Sequence, residues 1–523
     1  MAVKAPTSVL FSPDGTFKAF GFEAEEFFSD DTKEDRDQYY FFKNFKMILY
    51  KDKEISRHTQ LKDISGVKSL PAIDVFSSVI KYFCSLLMDK IMLQFSEGGK
   101  IEADDIFWVL TVPAIWGLKA KCFMREAAEM AGIKSNQLAL ALEPEAASLA
   151  CRQIPTTVVT KDSGKKVVGT FKEGSRYLVL DLGGGTIDLT AHEIIERGGL
   201  KEIHQASGGN WGGTSVNQKF IEFLAKLLGD GAIERIRRNE PADWLEVIDN
   251  FEQKKCTYNF NGNENISLRV PVSVSEVLKT KQPLTGPNVY FKRDKLTIAP
   301  ELFMSFFEES LEMICKSVRD TLDSLSGVQS ILIVGGFADC NLVIQKLRSE
   351  FENYTVLVPE EPRLAVLKGA VMHGMDPYTI RTRVCRYTYG IPTQRRFREW
   401  QDPEEKKRAE PDGKIYCDDI FEKHVERGET IVMGKYKEAK EYCTVRKDQK
   451  MVALELYASS DANPTFVTDE SCYHIGMVEI NLENNVNDGR VLVSLNVGGT
   501  EIEIQAKEYA TGKVSTALCN FLG

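Results

Sequence analysis

The sequence predicts an α/β fold of several domains that ends in a β-rich part. Three observations lead there. The stretch Tyr177 to Thr190, YLVLDLGGGTIDLT, reads as a buried strand, a three-glycine turn and a second strand. Around it, buried strands alternate with amphipathic helices as far as Val334. From about Thr379 the pattern changes to short strands and turns, with a helix suggested only near Glu404 to Arg408. A chain of 523 residues is too long for one core, so two to four domains are expected.

Taken in order, Ser8 to Phe20 reads as a hairpin turning at Pro13-Asp14-Gly15. The acidic run Glu23 to Asp37 reads as a solvated face. Ala72 to Phe95 reads as a helix, apolar at Val75, Val79, Phe83 and Leu86. Ile106 to Val112 is a strand ended by Pro113, and Lys119 to Ala131 a helix closed by Gly132. Pro155 to Ser175 is polar and reads as an exposed loop. Helical spacing fills Val216 to Leu228, Trp244 to Lys255 and Leu302 to Leu325, and Ser330 to Val334 is a strand ending in Gly335-Gly336.

The glycine turn carries chemistry. In the strand after it, Ile187, Leu189 and Ala191 point one way and Thr186, Asp188 and Thr190 the other. Three glycines put no Cβ in the way, so backbone N–H groups can converge on an anion. Asp181 before the turn and Asp188 after it offer carboxylates for the water around Mg2+, and Thr186 a hydroxyl for a phosphate oxygen. A helix-opening phosphate loop reads strand, glycines, helix. This one reads strand, glycines, strand, which is how actin-like ATPases grip phosphate. The plain alternative is a hairpin with permissive glycines.

Composition narrows the function. Hydrophobic content of 43% and charged content of 27% are those of a globular chain. No apolar run approaches the roughly 20 residues of a membrane span, and the start lacks a signal-peptide pattern. The 11 cysteines include no C-x-x-C and the 6 histidines no ligand spacing, so reduced thiols in the cytoplasm or nucleus are expected. A net charge of −10 argues against nonspecific nucleic-acid binding.

The order of motifs adds more than any one. LTVPAIW (Leu110 to Trp116) and LEPEAASLA (Leu142 to Ala150) precede DLGGGTIDL; Ser207-Gly208-Gly209 and ILIVGGFADCNLVIQKL follow it. This series resembles the nucleotide-binding domain of the seventy-kilodalton heat-shock chaperones. VPAIW, LEPEAAS, GGGTIDLT, VGGFA and LKGAVMHGMDP look most like the divergent heat shock 70 kDa protein 12 group. GTEIEIQAKEYATGKV resembles the end of the chaperone peptide-binding β-sandwich, and the chain stops at Gly523 without a helical lid.

The resemblance implies an actin-like ATPase fold of two ribonuclease-H-like lobes, 1–172 and 173–380, and a peptide-binding-like β-rich domain, 381–523. It implies ATP and Mg2+ as cofactors, hydrolysis that is slow or absent, and client or signalling proteins at the β-rich domain. Gly183, Gly184, Gly185 and Thr186 would hold the β- and γ-phosphates, and Asp181 and Asp188 the magnesium's water shell. Glu143 would place the metal or the attacking water from across the cleft. Lys46, with Lys43 close by, matches the lysine that touches the γ-phosphate. Gly208 and Gly209 would approach from the second lobe, Gly335 and Gly336 pack under the adenosine, and Glu252 and Lys255 clamp adenine and ribose. Pro113 and Lys121 match the pair that relays nucleotide state to the peptide-binding domain. Singly, Lys121, Glu252 and Lys255 could be solvated helix surface and Pro113 a strand terminator.

Four departures stand out. The family's opening phosphate loop is not met: Pro6 to Gly21 resembles the segment after it, so either the native chain is longer or the nucleotide site is impaired. Cys256 replaces an arginine that stacks on adenine. GGNWGGTSVN replaces an acidic stretch, and PYTIRTRVCRYTYG stands where a leucine-rich acidic linker is usual, which puts the usual allosteric coupling in question. Two other functions remain: a sugar kinase, whose catalytic aspartate GGNWGGTSVN does not offer, and a nucleotide-independent scaffold.

Overall fold

A computed structural model describes residues 4–30, 36–52, 54–94, 101–152, 158–160, 166–168, 171–258, 264–280, 288–410, 413–443, 451–481 and 490–522. The N-terminal hairpin, β1 (Ser8–Phe11) and β2 (Phe17–Phe20), turns at Gly15 with φ 81° and pairs through β1 with β3 (Tyr40–Lys43). Within the acidic run, Phe22–Ser29 is a short helix that buries Ala24 and Phe28. Its Glu25 accepts from Ser8 Oγ at 2.6 Å and pairs with Lys43 at 3.0 Å, so this part of the run is tied inward and is not merely solvated. Residues 31–35 of the run lie outside the described residues.

Helix α1 (Ala72–Gln94) buries Val75 and Val79, but Phe83 and Leu86 of the expected stripe are exposed. The core it serves ends at Ile80, so a sound 3.6-residue period overran the burial. Next come β4 (Trp108–Val112), α2 (Leu118–Met130), β5 (Leu138–Leu142) and α3 (Glu143–Cys151), with β4 and β5 parallel. Pro144 suits the first turn of α3, where its missing N–H costs nothing. Parts of Pro155 to Ser175 lie outside the described residues; within it Val158–Thr160 and Lys166–Val168 pair antiparallel.

The phosphate hairpin is β6 (Arg176–Leu182) and β7 (Ile187–Ile194), continued antiparallel by β8 (Leu200–Gly209). Helices α4 (Gly213–Leu228), α5 (Pro241–Thr257) and α6 (Pro300–Asp323) follow. They pack Phe220 flat on Phe251, ring centroids 4.0 Å apart, beside Phe303 and Phe306. Then come β9 (Val328–Val334), α7 (Asn341–Glu350), β10 (Thr355–Leu357), α8 (Ala365–Met375) and β11 (Ile380–Val384). Strand β6 lies between antiparallel β7 and parallel β9, covered on both faces, which is why it reads as a continuous apolar run.

The remaining strands are β12 (Thr388–Arg396), β13 (Lys407–Ala409), β14 (Ile415–Val425), β15 (Thr430–Val432), β16 (Lys440–Cys443), β17 (Met451–Ser459), β18 (Cys472–Asn481), β19 (Arg490–Asn496), β20 (Glu503–Glu508) and β21 (Val514–Leu518). Near Glu404 to Arg408 there is one helical turn, Glu404–Lys406, and then β13; the segment is too short to close more than that turn. Two sheets, ordered β13-β14-β12-β17-β18 and β16-β19-β20-β21, enclose a core that includes Leu456, Val493 and Ile504. The large sheet runs β10-β9-β6-β7-β8-β11-β15. Its last two strands come from beyond residue 379, so pairing crosses the position where the sequence pattern changes.

This junction is charged and buried. Arg383 of β11 donates to both oxygens of Glu145, at 2.7 and 2.6 Å, and to the Gly498 carbonyl at 2.9 Å. The Val384 N–H donates to Glu202 at 2.7 Å. Thr500 Oγ1 donates to the Leu140 carbonyl at 2.6 Å, and Arg125 pairs with Glu501.

Candidate functional site

The site grows from the hairpin. Asp181 and Asp188 are register partners on β6 and β7, and both are buried. Loss of water, then the nearby Glu143, pushes both carboxyls far above their ordinary range, Asp188 to about 7. The charge on Asp188 further opposes ionisation of Asp181, an arrangement that a divalent cation would relieve. Asp188 accepts the Ile115 N–H at 2.8 Å and a bond from Thr186.

Between the aspartates the chain turns through Gly183–Gly185. A Cβ on Gly183 would meet the Thr186 carbonyl oxygen at 2.5 Å, and one on Gly185 the Met47 sulfur at 2.2 Å. The turn is braced through its carbonyls: Gly213 N–H donates to Gly183 O at 3.2 Å, and Thr214 N–H to Gly184 O at 2.8 Å. A Cβ on Gly184 would meet nothing within 4 Å, so one side of the turn stays open.

Across the cleft, Lys46 Nζ donates to Glu143 Oε1 at 2.7 Å and lies 5.3 Å from the Trp116 ring. Lys43 is engaged with Glu25, so Lys46 is the lysine that reaches this group. Gly335, with φ 93°, donates its N–H to Pro362 O at 3.0 Å. A Cβ there would meet Asp181 Oδ1 and Leu182 O, both at 2.4 Å, so the glycine admits the carboxylate.

Some sequence-selected residues sit differently. Gly208 and Gly209 lie within β8 as partners of Asp188 and Ile187, where a Cβ on Gly208 would meet Ile187 O at 1.9 Å. They let β8 press on β7. The glycines that reach the turn are Gly212 and Gly213 at the start of α4, which the sequence reading passed over; the signal was a second Gly-Gly opening a helix. Lys255 is 1% exposed and gives its ammonium to Gly213 O, Asn217 Oδ1 and Glu252 Oε2 at 2.8, 2.9 and 2.7 Å. Glu252 stands at the surface end of that bond. Gly336 borders open space. Lys121 has its ammonium shut away from water near Arg386 and Arg383, which pushes it down to about 7. Arg386 Nη1 donates to the Ile115 carbonyl at 3.0 Å, on the residue whose N–H holds Asp188.

A family model described as Hsp70 protein matches residues 102–375, more than half of the chain. The chain belongs to the Hsp70 family. It is 29% identical over 581 residues to heat shock 70 kDa protein 12A of Mus musculus and of Homo sapiens, covering 99% of this chain and 85% of each of those proteins. Against heat shock 70 kDa protein 12B of Homo sapiens the identity is 29% over 588 residues, with the same coverage. It is thus a divergent member, similar to the protein 12 group, with the actin-like ATPase fold of its family and a β-rich C-terminal region. The family is one of chaperone-like proteins that bind ATP with Mg2+. Among the described residues no helix is long and apolar enough to cross a membrane.

Proposed function

We propose that this Hsp70-family chain binds Mg-ATP at the β6–β7 hairpin, hydrolyses it slowly or not at all, and engages client or signalling proteins through residues 381–523. The observation that carries the reading is the pair Asp181 and Asp188, buried, register-matched and disfavoured as twin anions, beside a glycine turn open on one side.

Magnesium supplies charge neutralisation for the phosphates and for the two carboxylates. Asp181 and Asp188 would hold it, through the water bound to it. Thr186 and the amides of Gly184 and Gly185 would face the phosphates, the Gly183 N–H being given to the Thr186 carbonyl at 3.0 Å, and Gly335 and Gly336 would lie under the nucleoside. Lys46, now on Glu143, neutralises the terminal phosphate, which leaves Glu143 to orient water. Lobes at 1–172 and 173–380 and a cytoplasmic setting accompany this reading.

The second reading, a nucleotide-independent scaffold, is favoured by Lys255, whose donors are all used inside the protein. Calorimetry with Mg-ATP on the folded full chain and on Asp181→Asn separates the two. Saturable binding that falls at least tenfold in the variant supports the first. No binding by a chain shown to be folded by circular dichroism favours the scaffold, and equal affinity in both proteins removes Asp181 from its role.

A further inference from the structure

We propose that Arg363 lays its guanidinium plane against the purine of the bound nucleotide, taking the place that the side chain at position 256 cannot fill. This rests on the Mg-ATP reading above.

Position 256, near the end of α5, is a cysteine with neither charge nor planar face. Its neighbour Lys255 has three donors and spends all three inside the protein, so it has none left for a ligand. Arg363 is a cation whose charge acts on the Cys256 thiol, and it has a plane to offer. Its segment is pinned to the glycine pair, because the Pro362 carbonyl accepts the Gly335 N–H at 3.0 Å. Its Nε pairs with Asp339, in the helical turn Phe337–Asp339 that directly follows Gly335-Gly336. The charges of Glu252, Lys255, Arg363 and Asp339 act on the Cys256 thiol, so these side chains lie near it. Cys340 Sγ donates to the Lys255 carbonyl at 3.0 Å and ties that turn to α5.

The pairing leaves the guanidinium usable. One edge is held by a carboxylate, while the Arg363 side chain remains 45% exposed. A cation held by one edge keeps both planar faces for stacking, and a stack on a purine is sequence-tolerant but plane-dependent. Gly336 beside it borders open space, where a base has room. Asp339 therefore sets the orientation of Arg363, and a purine nucleotide is the ligand class it selects over a bare polyphosphate.

The test is calorimetric binding of Mg-ATP and of magnesium tripolyphosphate to the full chain, Arg363→Ala, Arg363→Lys and Asp339→Asn, each checked for folding by circular dichroism. Arg363→Ala is expected to weaken Mg-ATP roughly 3–30-fold, the range of a cation–ring contact, with tripolyphosphate unchanged. Arg363→Lys keeps the charge and loses the plane, so it weakens Mg-ATP too, and it serves if the alanine variant does not fold. Asp339→Asn weakens Mg-ATP by a smaller factor. Wild-type affinity for Mg-ATP in Arg363→Ala and Arg363→Lys overturns the proposal while leaving the nucleotide reading intact. A wild type that binds tripolyphosphate and ATP equally also overturns it. A folded wild type that binds neither overturns the nucleotide reading and this proposal with it.

Discussion

Replacing Arg383 with methionine puts the buried junction to a quantitative test. Arg383 and Glu145 are side chains with 8% and 3% exposure, joined by two charge-assisted hydrogen bonds. A third bond reaches the Gly498 carbonyl, on the loop between β19 and β20. Methionine fills much of the same volume but leaves Glu145 as an uncompensated buried carboxylate. Glu202 stands close by and is itself pushed up to about 8, first by burial and then by Glu145. Breaking a buried pair from one side costs about 3–5 kcal/mol, whereas replacing both partners with apolar residues is close to neutral. The Gly498 carbonyl, left without its donor in both variants, adds about 1 kcal/mol. Arg383→Met is therefore expected to lose about 4–6 kcal/mol, and Glu145→Met/Arg383→Met about 1–2 kcal/mol, from the same two effects. Urea unfolding followed by fluorescence and by hydrogen exchange at the Val384 amide reads both, with each transition fitted separately because a chain of this size need not unfold in one step. A loss under about 1 kcal/mol in the single variant, or no recovery in the double, would refute the reasoning.

Two further outcomes follow from particular contacts. Gly335→Ala combines a φ of 93° with a Cβ at 2.4 Å from Asp181 Oδ1, so a loss of about 1–3 kcal/mol is expected by urea denaturation; Gly184→Ala, with nothing within 4 Å, stays within about 0.5 kcal/mol. His192 is fully buried between Thr190 and Ser148, and burial pushes its imidazole down to about 4. The unfolded chain then binds a proton that the folded chain refuses, so its contribution is present above pH 6.5 and is lost as pH falls toward 4. Wild type should lose up to about 3 kcal/mol more than His192→Gln over that window; parallel pH profiles would contradict this.

Local pattern made the hairpin legible, because strand, glycines and strand are consecutive and β6 is covered on both faces. It also made α5 and α6 legible, whose spacing matches burial of Phe251, Phe303 and Phe307. What it missed depends on distant partners. Arg383 alternates with Thr382 and Val384, and nothing nearby marks it as buried; its partner is 238 positions away. Glu145 lies two residues past Glu143 in LEPEAAS and is the more buried of the two, yet only Glu143 faces the cleft lysine. Choosing between Lys43 and Lys46 needed Glu25, and choosing between the two Gly-Gly pairs needed the register of β8 on β7.

The large sheet also imposes an order of synthesis. Strand β8 is made early, but its other neighbour, β11, follows only after seven helices, counted among the described residues, and two more strands of that sheet. At about 5–20 residues per second, roughly 10–35 s pass before β11 emerges. Through that interval β8 offers an unpaired edge to any extended chain it meets. The nascent protein is thus most open to aggregation while the strand that will cover that edge is still on the ribosome, and a holdase acting on β8 would be needed only until β11 arrives.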